Sequence, residues 1–215
     1  TSDGPQVRWD LLAEDRHATL MGYMGVGSLP EVIAQLVEHG MDPEMPAAMV
    51  EQGTTSSQRR VVSTMAQLPA AVEAAGLRPP ALFAIGPTIR HVEALDWVSR
   101  LRLAGQRLLL PARRSSFALR LEDAGAEVVP LPIPVTPAAR VVIGALPLTG
   151  CVVWTVADIE CLEEERRGSG WNEPVTAFCV GPQAAERARE EGWFKVRELP
   201  ENIDEFELVD CIAEL

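Results

Sequence analysis

The sequence predicts an α/β protein made of two α/β modules in tandem, on three observations. Short apolar runs of strand length recur along the whole chain, stretches with helical spacing of apolar residues follow most of them, and glycines punctuate the helix ends. At 215 residues, 47% hydrophobic and 23% charged, the chain has enough material for two small cores. The pattern pauses and restarts near residues 95–105, which sets the expected division at 1–97, a linker over 98–105, and 106–215.

In the first module a short helical stretch ends in the charged run Ala13-Glu14-Asp15-Arg16. Ala18–Met24 then reads as a buried strand closed by Gly25-Val26-Gly27. Ser28 as cap, Pro30 in the first turn and Glu31 three places on mark a helix start. Val32, Ile33, Leu36 and Val37 hold the spacing, and Gly40 ends the helix. Pro46–Val50 is a second strand, Gln58–Met65 an extended segment, Gln67–Ala75 a helix stopped by Gly76, and Ala81–Gly86 a third strand. A mixed sheet follows from that order.

Leu95–Ala104 reads as a connector. In the second module Arg107–Pro111, Ala126–Leu131, Cys151–Thr155, Val175–Val180 and Lys195–Arg197 read as strands of a mostly parallel sheet. Helices are expected at 116–123, 158–167, 183–191 and 204–215. Prolines 130, 132, 134 and 137 favour an extended crossing or linker.

Composition removes several function classes. Nineteen basic against thirty-one acidic residues give a formal charge of −12, which repels phosphate backbones and anionic headgroups. No apolar run approaches the length of a membrane span, and no signal-like leader is read at the amino terminus. Cys151, Cys161, Cys179 and Cys211 lack metal-ligand spacing and have no histidine near them in sequence. Reduced, mostly buried thiols of a cytoplasmic protein are expected, with no metal. His17, His39 and His91 are scattered and read as surface or helix-end residues. Gly22, Gly25 and Gly27 form G-x-x-G-x-G, which by itself reads as turn glycines and not as a nucleotide loop. Glu160, Glu163, Glu164 and Glu165 with Arg166 and Arg167 read as a solvated helix face.

Four segments in order carry a family resemblance. Thr19–Val26, Met45–Thr55 followed by Gln58-Arg59, Pro80–Gly86, and Leu95-Asp96-Trp97 resemble the carboxy-terminal lobe of uroporphyrinogen-III C-methyltransferases. Further on, Trp97–Leu110 resembles the junction to a fused uroporphyrinogen-III synthase. Ala124–Pro132, Val152–Thr155 and Val180–Ala185 are similar to synthase segments. The resemblance therefore implies a tetrapyrrole-methylase lobe followed by a partial synthase-like module. It departs from the synthase pattern at Val156 and Ala184, which stand where that family carries hydroxyl side chains.

What the resemblance implies is S-adenosylmethionine or S-adenosylhomocysteine as cofactor, held by Met24 and Gly53, with Ala48, Thr54 and Pro87 at the rim. A polarizable thioether suits adenine, and a glycine admits close backbone approach. The substrate would be a tetrapyrrole polycarboxylate, for which Arg59, Arg60 and Thr155 are candidates. Homodimerisation is the family's default. The methyltransferase's amino-terminal lobe and half of the synthase have no counterpart here. The sequence accordingly reads as an internal portion of a longer polypeptide, or as a non-catalytic binding or scaffold protein built from these lobes.

Overall fold

The computed structural model describes residues 7–23, 25–131, 135–169 and 175–214, and the chain divides into two compact units, 1–97 and 98–215. Among the described residues no helix is long and apolar enough to cross a membrane.

The first unit comprises α1 (Trp9–Glu14), β1 (Leu20–Tyr23), α2 (Leu29–Glu38), β2 (Pro46–Glu51), β3 (Arg59–Thr64), α3 (Leu68–Ala75) and β4 (Ala81–Ile85), then a 3₁₀ turn at Pro87–His91 and α4 (Val92–Leu95). The sheet order is β1-β4-β2-β3. Every described pairing in it is antiparallel, where a mixed sheet was the expectation. The reason is the place β4 takes. β1 and β2 run the same way, as a strand–helix–strand unit requires, but β4 slots between them antiparallel to both.

Register sorts the side chains of this sheet into rows. Gly22, Phe83, Met49 and Val61 form a row on the inner face, against Leu29, Ile33 and Leu36 of α2 and Leu68 and Val72 of α3. On the outer face one row is Tyr23-Leu82-Val50-Arg60 and the next is Met21-Ala84-Ala48-Val62. That outer face keeps Met21, Tyr23 and Val62 exposed. The Arg60 guanidinium donates to Glu93 and Asp96, anchoring the turn that follows β4.

The second unit contains β5 (Arg107–Pro111), α5 (Ser115–Asp123), β6 (Glu127–Leu131), α6 (Pro137–Ala145), β7 (Gly150–Val153), α7 (Val156–Ser169), β8 (Thr176–Val180), α8 (Pro182–Glu190), β9 (Lys195–Leu199) and α9 (Glu205–Ala213). Its sheet is parallel throughout in the order β6-β5-β7-β8-β9. With the first strand flanked by the second and third, this is a doubly wound order. Alternate residues of β5 serve two cores: Leu108 and Leu110 meet α5 and α9, while Leu109 faces α6, α7 and α8. Burial on both faces explains why the inner strands β5, β7 and β8 are largely apolar, while the edge strands β6 and β9 stay partly exposed.

Two expectations change here. Pro137–Ala145 is a helix, capped by Thr136, whose hydroxyl accepts from Ala139 N at 3.2 Å. The extended crossing predicted over Pro130–Pro137 falls partly on 132–134, outside the described residues. The acidic face of α7 is also not simply solvated. Glu163 and Glu165 are buried, Glu163 bridging Arg166 and Arg167 and Glu165 held bidentately by Arg140 at 2.6 Å. Buried carboxylates persist only when paired and hydrogen-bonded.

Cys151 on β7 and Cys179 on β8 are buried free thiols. Burial pushes the Cys179 thiol up to about 12, with Arg189 and Glu198 making smaller opposing contributions, and pushes Cys151 well up too. The folded state therefore holds these protons when the unfolded chain, titrating near 9, has released them. The stabilisation is intact below pH 9 and is lost as pH rises toward 12, at ~1.4 kcal/mol per pH unit for Cys179. Urea midpoints measured from pH 7 to 11 should fall only above 9, and Cys179→Ala should shallow that fall.

Candidate functional site

The loop Gln52–Gln58 joins β2 to β3 and carries Gly53. Its conformation is unusual in one respect: Gln52 (φ 48°) and Thr54 (φ 68°) take left-handed backbone, and Gly53 between them does not. Hydrogen bonds hold the strain. Gln52 N donates to Pro80 O at 2.9 Å, and Gln52 O accepts from Thr55 N and Oγ1. Thr54 N donates to Gln58 Oε1 at 2.7 Å. Strained backbone that is over-determined in this way is characteristic of ligand-binding turns.

A Cβ at Gly53 would meet only Val50 Cγ1 at 3.5 Å and Gln58 Oε1 at 3.8 Å, ordinary contacts. Neither backbone angle nor crowding requires a glycine there. What its bareness preserves is space, because Gly53 lines a cleft of about 510 Å³. The walls are Tyr23, Leu82 and Val50, neighbours in one row across β1, β4 and β2. Gln52 and Thr55 form a polar rim beside Pro80 and Ala81.

Of the residues predicted to hold a cofactor, Gly53 lies in this cleft and Met24 lies outside the described residues. Thr54 is exposed on the same loop. Ala48 is buried in the neighbouring row of the same sheet face. Pro87 opens the turn beyond β4, at the far end of the β2–β4 pair from Gly53, since Ala47 pairs with Ile85 and Glu51 with Ala81. The structure thus brings Gly53 and Thr54 together and sets Pro87 apart.

Arg59 and Arg60 are engaged by the chain itself. Arg59 Nε donates to the buried Glu51 at 2.7 Å, and its other nitrogens reach Ala75 O and Gly76 O at the end of α3. Glu51 also accepts from Arg78 N. Arg59 therefore ties the loop's base to a helix C-terminus, where a cation is favoured.

Thr155 lies in the second unit, at a cavity of about 470 Å³ over the carboxyl ends of the parallel strands. Arg114 follows β5, Trp154–Ala157 follow β7, Val180 ends β8 with Gly181, Gln183 and Ala184 after it, and Glu201 follows β9. The Thr155 hydroxyl accepts from Asp158 N at 3.2 Å, and Asp158 accepts in return from Trp154 N and Thr155 N, a reciprocal cap on α7. The Arg114 guanidinium stacks over Trp154 at 4.7 Å, and Phe117 meets the indole edge-on. Val156 and Ala184 are in this lining.

Tyr23, Gln52 and Leu82 were not among the residues singled out from the sequence. Their convergence depends on β4 lying between β1 and β2, which no local pattern encodes. The cap at Thr155, in contrast, is readable as T-x-x-D. His17, His39 and His91 are exposed, and no group of three or more potential metal ligands occurs among the described residues.

About 40% of the chain resembles siroheme synthase. It is 41% identical over 91 residues to the siroheme synthase of Thioalkalivibrio sulfidiphilus, covering 42% of this chain and 18% of that protein. With the Methylobacillus flagellatus protein of the same name, identity is 46% over 89 residues, 41% of this chain and 19% of the relative. The chain thus spans under a fifth of the length of the curated relatives it matches. A uroporphyrin-III C-methyltransferase structure from Thermus thermophilus, solved with S-adenosylhomocysteine, is 31% identical over 40% of this chain and 38% of its own, at a TM-score of 0.33. No protein-family model matches the chain.

Proposed function

We propose that the first unit is the cofactor-binding carboxy-terminal lobe of an S-adenosylmethionine-dependent uroporphyrinogen-III methyltransferase. The observation carrying this reading is Gly53. It is a glycine that the backbone does not need, in the E-x-G-T turn that resembles the family's cofactor contact, opening onto a cleft large enough for a nucleoside. The ~90-residue likeness to siroheme synthases supports the same assignment. The cofactor would supply the methyl group, and the chain's part is to hold and orient it at Gly53 and Thr54, with Met24 alongside. Ala48 and Pro87 belong to this reading as more distant supports. Arg59 and Arg60 then fix the loop and the turn after β4, and any meeting with substrate carboxylates is secondary to that. Formation of precorrin-2 in a cytoplasmic, homodimeric protein belongs to the same proposal.

The second unit is proposed to derive from uroporphyrinogen-III synthase and to bind without catalysing ring closure. Val156 and Ala184 line its cavity where the resembling family carries hydroxyls, and the Thr155 hydroxyl is drawn into a helix cap. Supplied with the linear tetrapyrrole, the chain should give no uroporphyrinogen III above the uncatalysed background.

Calorimetric titration with S-adenosylhomocysteine tests the first unit. Saturable binding is expected, unchanged in fold and weakened at least about tenfold by Gly53→Leu, whose side chain would enter the cleft; that loss is ~1.4 kcal/mol. A folded chain that gives no heat at millimolar ligand would rule out a cofactor site on this unit.

A further inference from the structure

The cavity over the carboxyl ends of β5, β7, β8 and β9 is lined by two groups of opposite charge, Arg114 and Glu201, that find no ion-pair partner among the described residues. Most arginines of this unit are paired with carboxylates, as Arg113 is with Asp158 and Arg140 with Glu165. The Arg114 guanidinium instead stacks on Trp154, and its Nε is buried with no acceptor. A buried donor left in that state costs stability unless something else satisfies it. Glu201 is exposed and lies against the start of α8, where a Cβ on Gly181 would stand 2.9 Å from its Cγ. The two charges therefore neutralise neither each other nor any neighbour.

Their place in the sheet favours a ligand. β5 lies between β6 and β7, so the strand order reverses there, and the crevice beyond such a reversal is where open parallel sheets hold small molecules. Trp154, Val156, Ala157 and Val180 give this crevice apolar wall. The Thr155 hydroxyl accepts from Asp158 N, which leaves its proton for a ligand oxygen. A polycarboxylate would meet one cation here and a like charge at Glu201. A small zwitterion finds a partner for each of its ends.

We propose that this cavity binds an apolar α-amino acid, its carboxylate on Arg114 and the Thr155 hydroxyl, its ammonium on Glu201, and its side chain against Trp154, Val156 and Val180. The inference goes beyond the origin proposed for this unit and needs neither that origin nor the cofactor lobe.

Three probes separate the two charges: L-leucine, isocaproate, which lacks the ammonium, and isoamylamine, which lacks the carboxylate. Calorimetric titration of the whole chain should show saturable leucine binding, at least about tenfold tighter than that of either relative. Glu201→Gln should lower leucine to the level of isocaproate. Arg114→Gln should abolish binding of both, and Arg114→Lys, which keeps the charge, should retain part of it, each variant having the circular dichroism of the parent. Leucine binding unchanged in Glu201→Gln overturns the ammonium site. Isocaproate or inorganic phosphate bound as tightly as leucine makes the cavity a plain anion site and overturns the zwitterion. A folded chain that gives no heat with millimolar leucine overturns the proposal altogether.

Discussion

Asp158→Ala should be among the most destabilising single substitutions in the second unit, costing about 2–6 kcal/mol in urea unfolding. The carboxylate is 1% exposed and satisfies three donors: Trp154 N at 3.1 Å, Thr155 N at 3.0 Å and Arg113 Nη2 at 2.5 Å. Alanine leaves two backbone N–H groups at the start of α7 without their acceptor, at ~1–3 kcal/mol each if water cannot replace it. The half-exposed Arg113 can return to solvent, so its loss weighs less. Two companions separate these contributions. Arg113→Ala should cost less, about 1–3 kcal/mol: the guanidinium is 47% exposed, and its loss leaves the buried carboxylate its two backbone donors but no cation. Asp158→Asn retains an oxygen for the two amides and should fall between the other two. If Arg113→Ala proved as damaging as Asp158→Ala, the ion pair and not the cap would be the dominant contribution. The same carboxylate fixes Trp154 and Thr155 at the mouth of the cavity, so its loss should also disorder the Arg114–Trp154 stack. That would be visible as altered near-ultraviolet circular dichroism.

Asp158 illustrates a feature that was written in the sequence but not read there, since Thr155 was taken as a substrate candidate and not as a helix cap. Its cap is local, four residues long, and written in the spacing of Thr155 and Asp158. The inner strands of the second unit, β5, β7 and β8, were legible because burial on both faces makes each a largely apolar run, as in Arg107–Pro111, while the edge strands β6 and β9 carry charged residues and were read from shorter apolar stretches. Helix α6 was not, because it follows a proline-rich stretch and its exposed Val141 and Val142 blur the helical period. The acidic run on α7 was misread because sequence spacing places Glu163 and Glu165 near arginines but does not say that Arg140, from another helix, closes over one of them. In the first unit Gly53 was marked by its motif. Its neighbours in the cleft were not, since Tyr23, Leu82 and Val50 become adjacent only through β4, which joins β1 and β2 from more than thirty residues downstream.

Glycines 22, 25 and 27 are the same lesson in a form that can be tested, because the turn-glycine reading treats them alike and the structure does not. Gly22 is inside β1, paired with Phe83, and a Cβ there would stand 2.1 and 2.3 Å from two atoms of the Phe83 ring. At Gly25 the nearest ring atom would be 2.5 Å away, and at Gly27 nothing lies within 4 Å. Gly22 has no positive φ, so its reason is close approach of an aromatic ring to bare backbone, and the same ring crowds Gly25. Phe83 cannot swing aside, being 7% exposed in the core beneath α2 and α3. Gly22→Ala should therefore cost about 1–3 kcal/mol or more through overpacking, and Gly27→Ala should stay within about 0.5 kcal/mol of the parent. Phe83→Leu alone removes buried volume and destabilises, yet in the Gly22→Ala background it should restore part of the loss, giving a coupling of about 0.5–3 kcal/mol in a double-mutant cycle. Because Tyr23 follows Gly22 directly, a displaced β1 should also weaken S-adenosylhomocysteine binding in Gly22→Ala and recover it in the double variant. Additive losses of stability in the double variant would mean that the ring and the bare backbone do not meet as described, and the placement of Tyr23 over the cleft would fall with them.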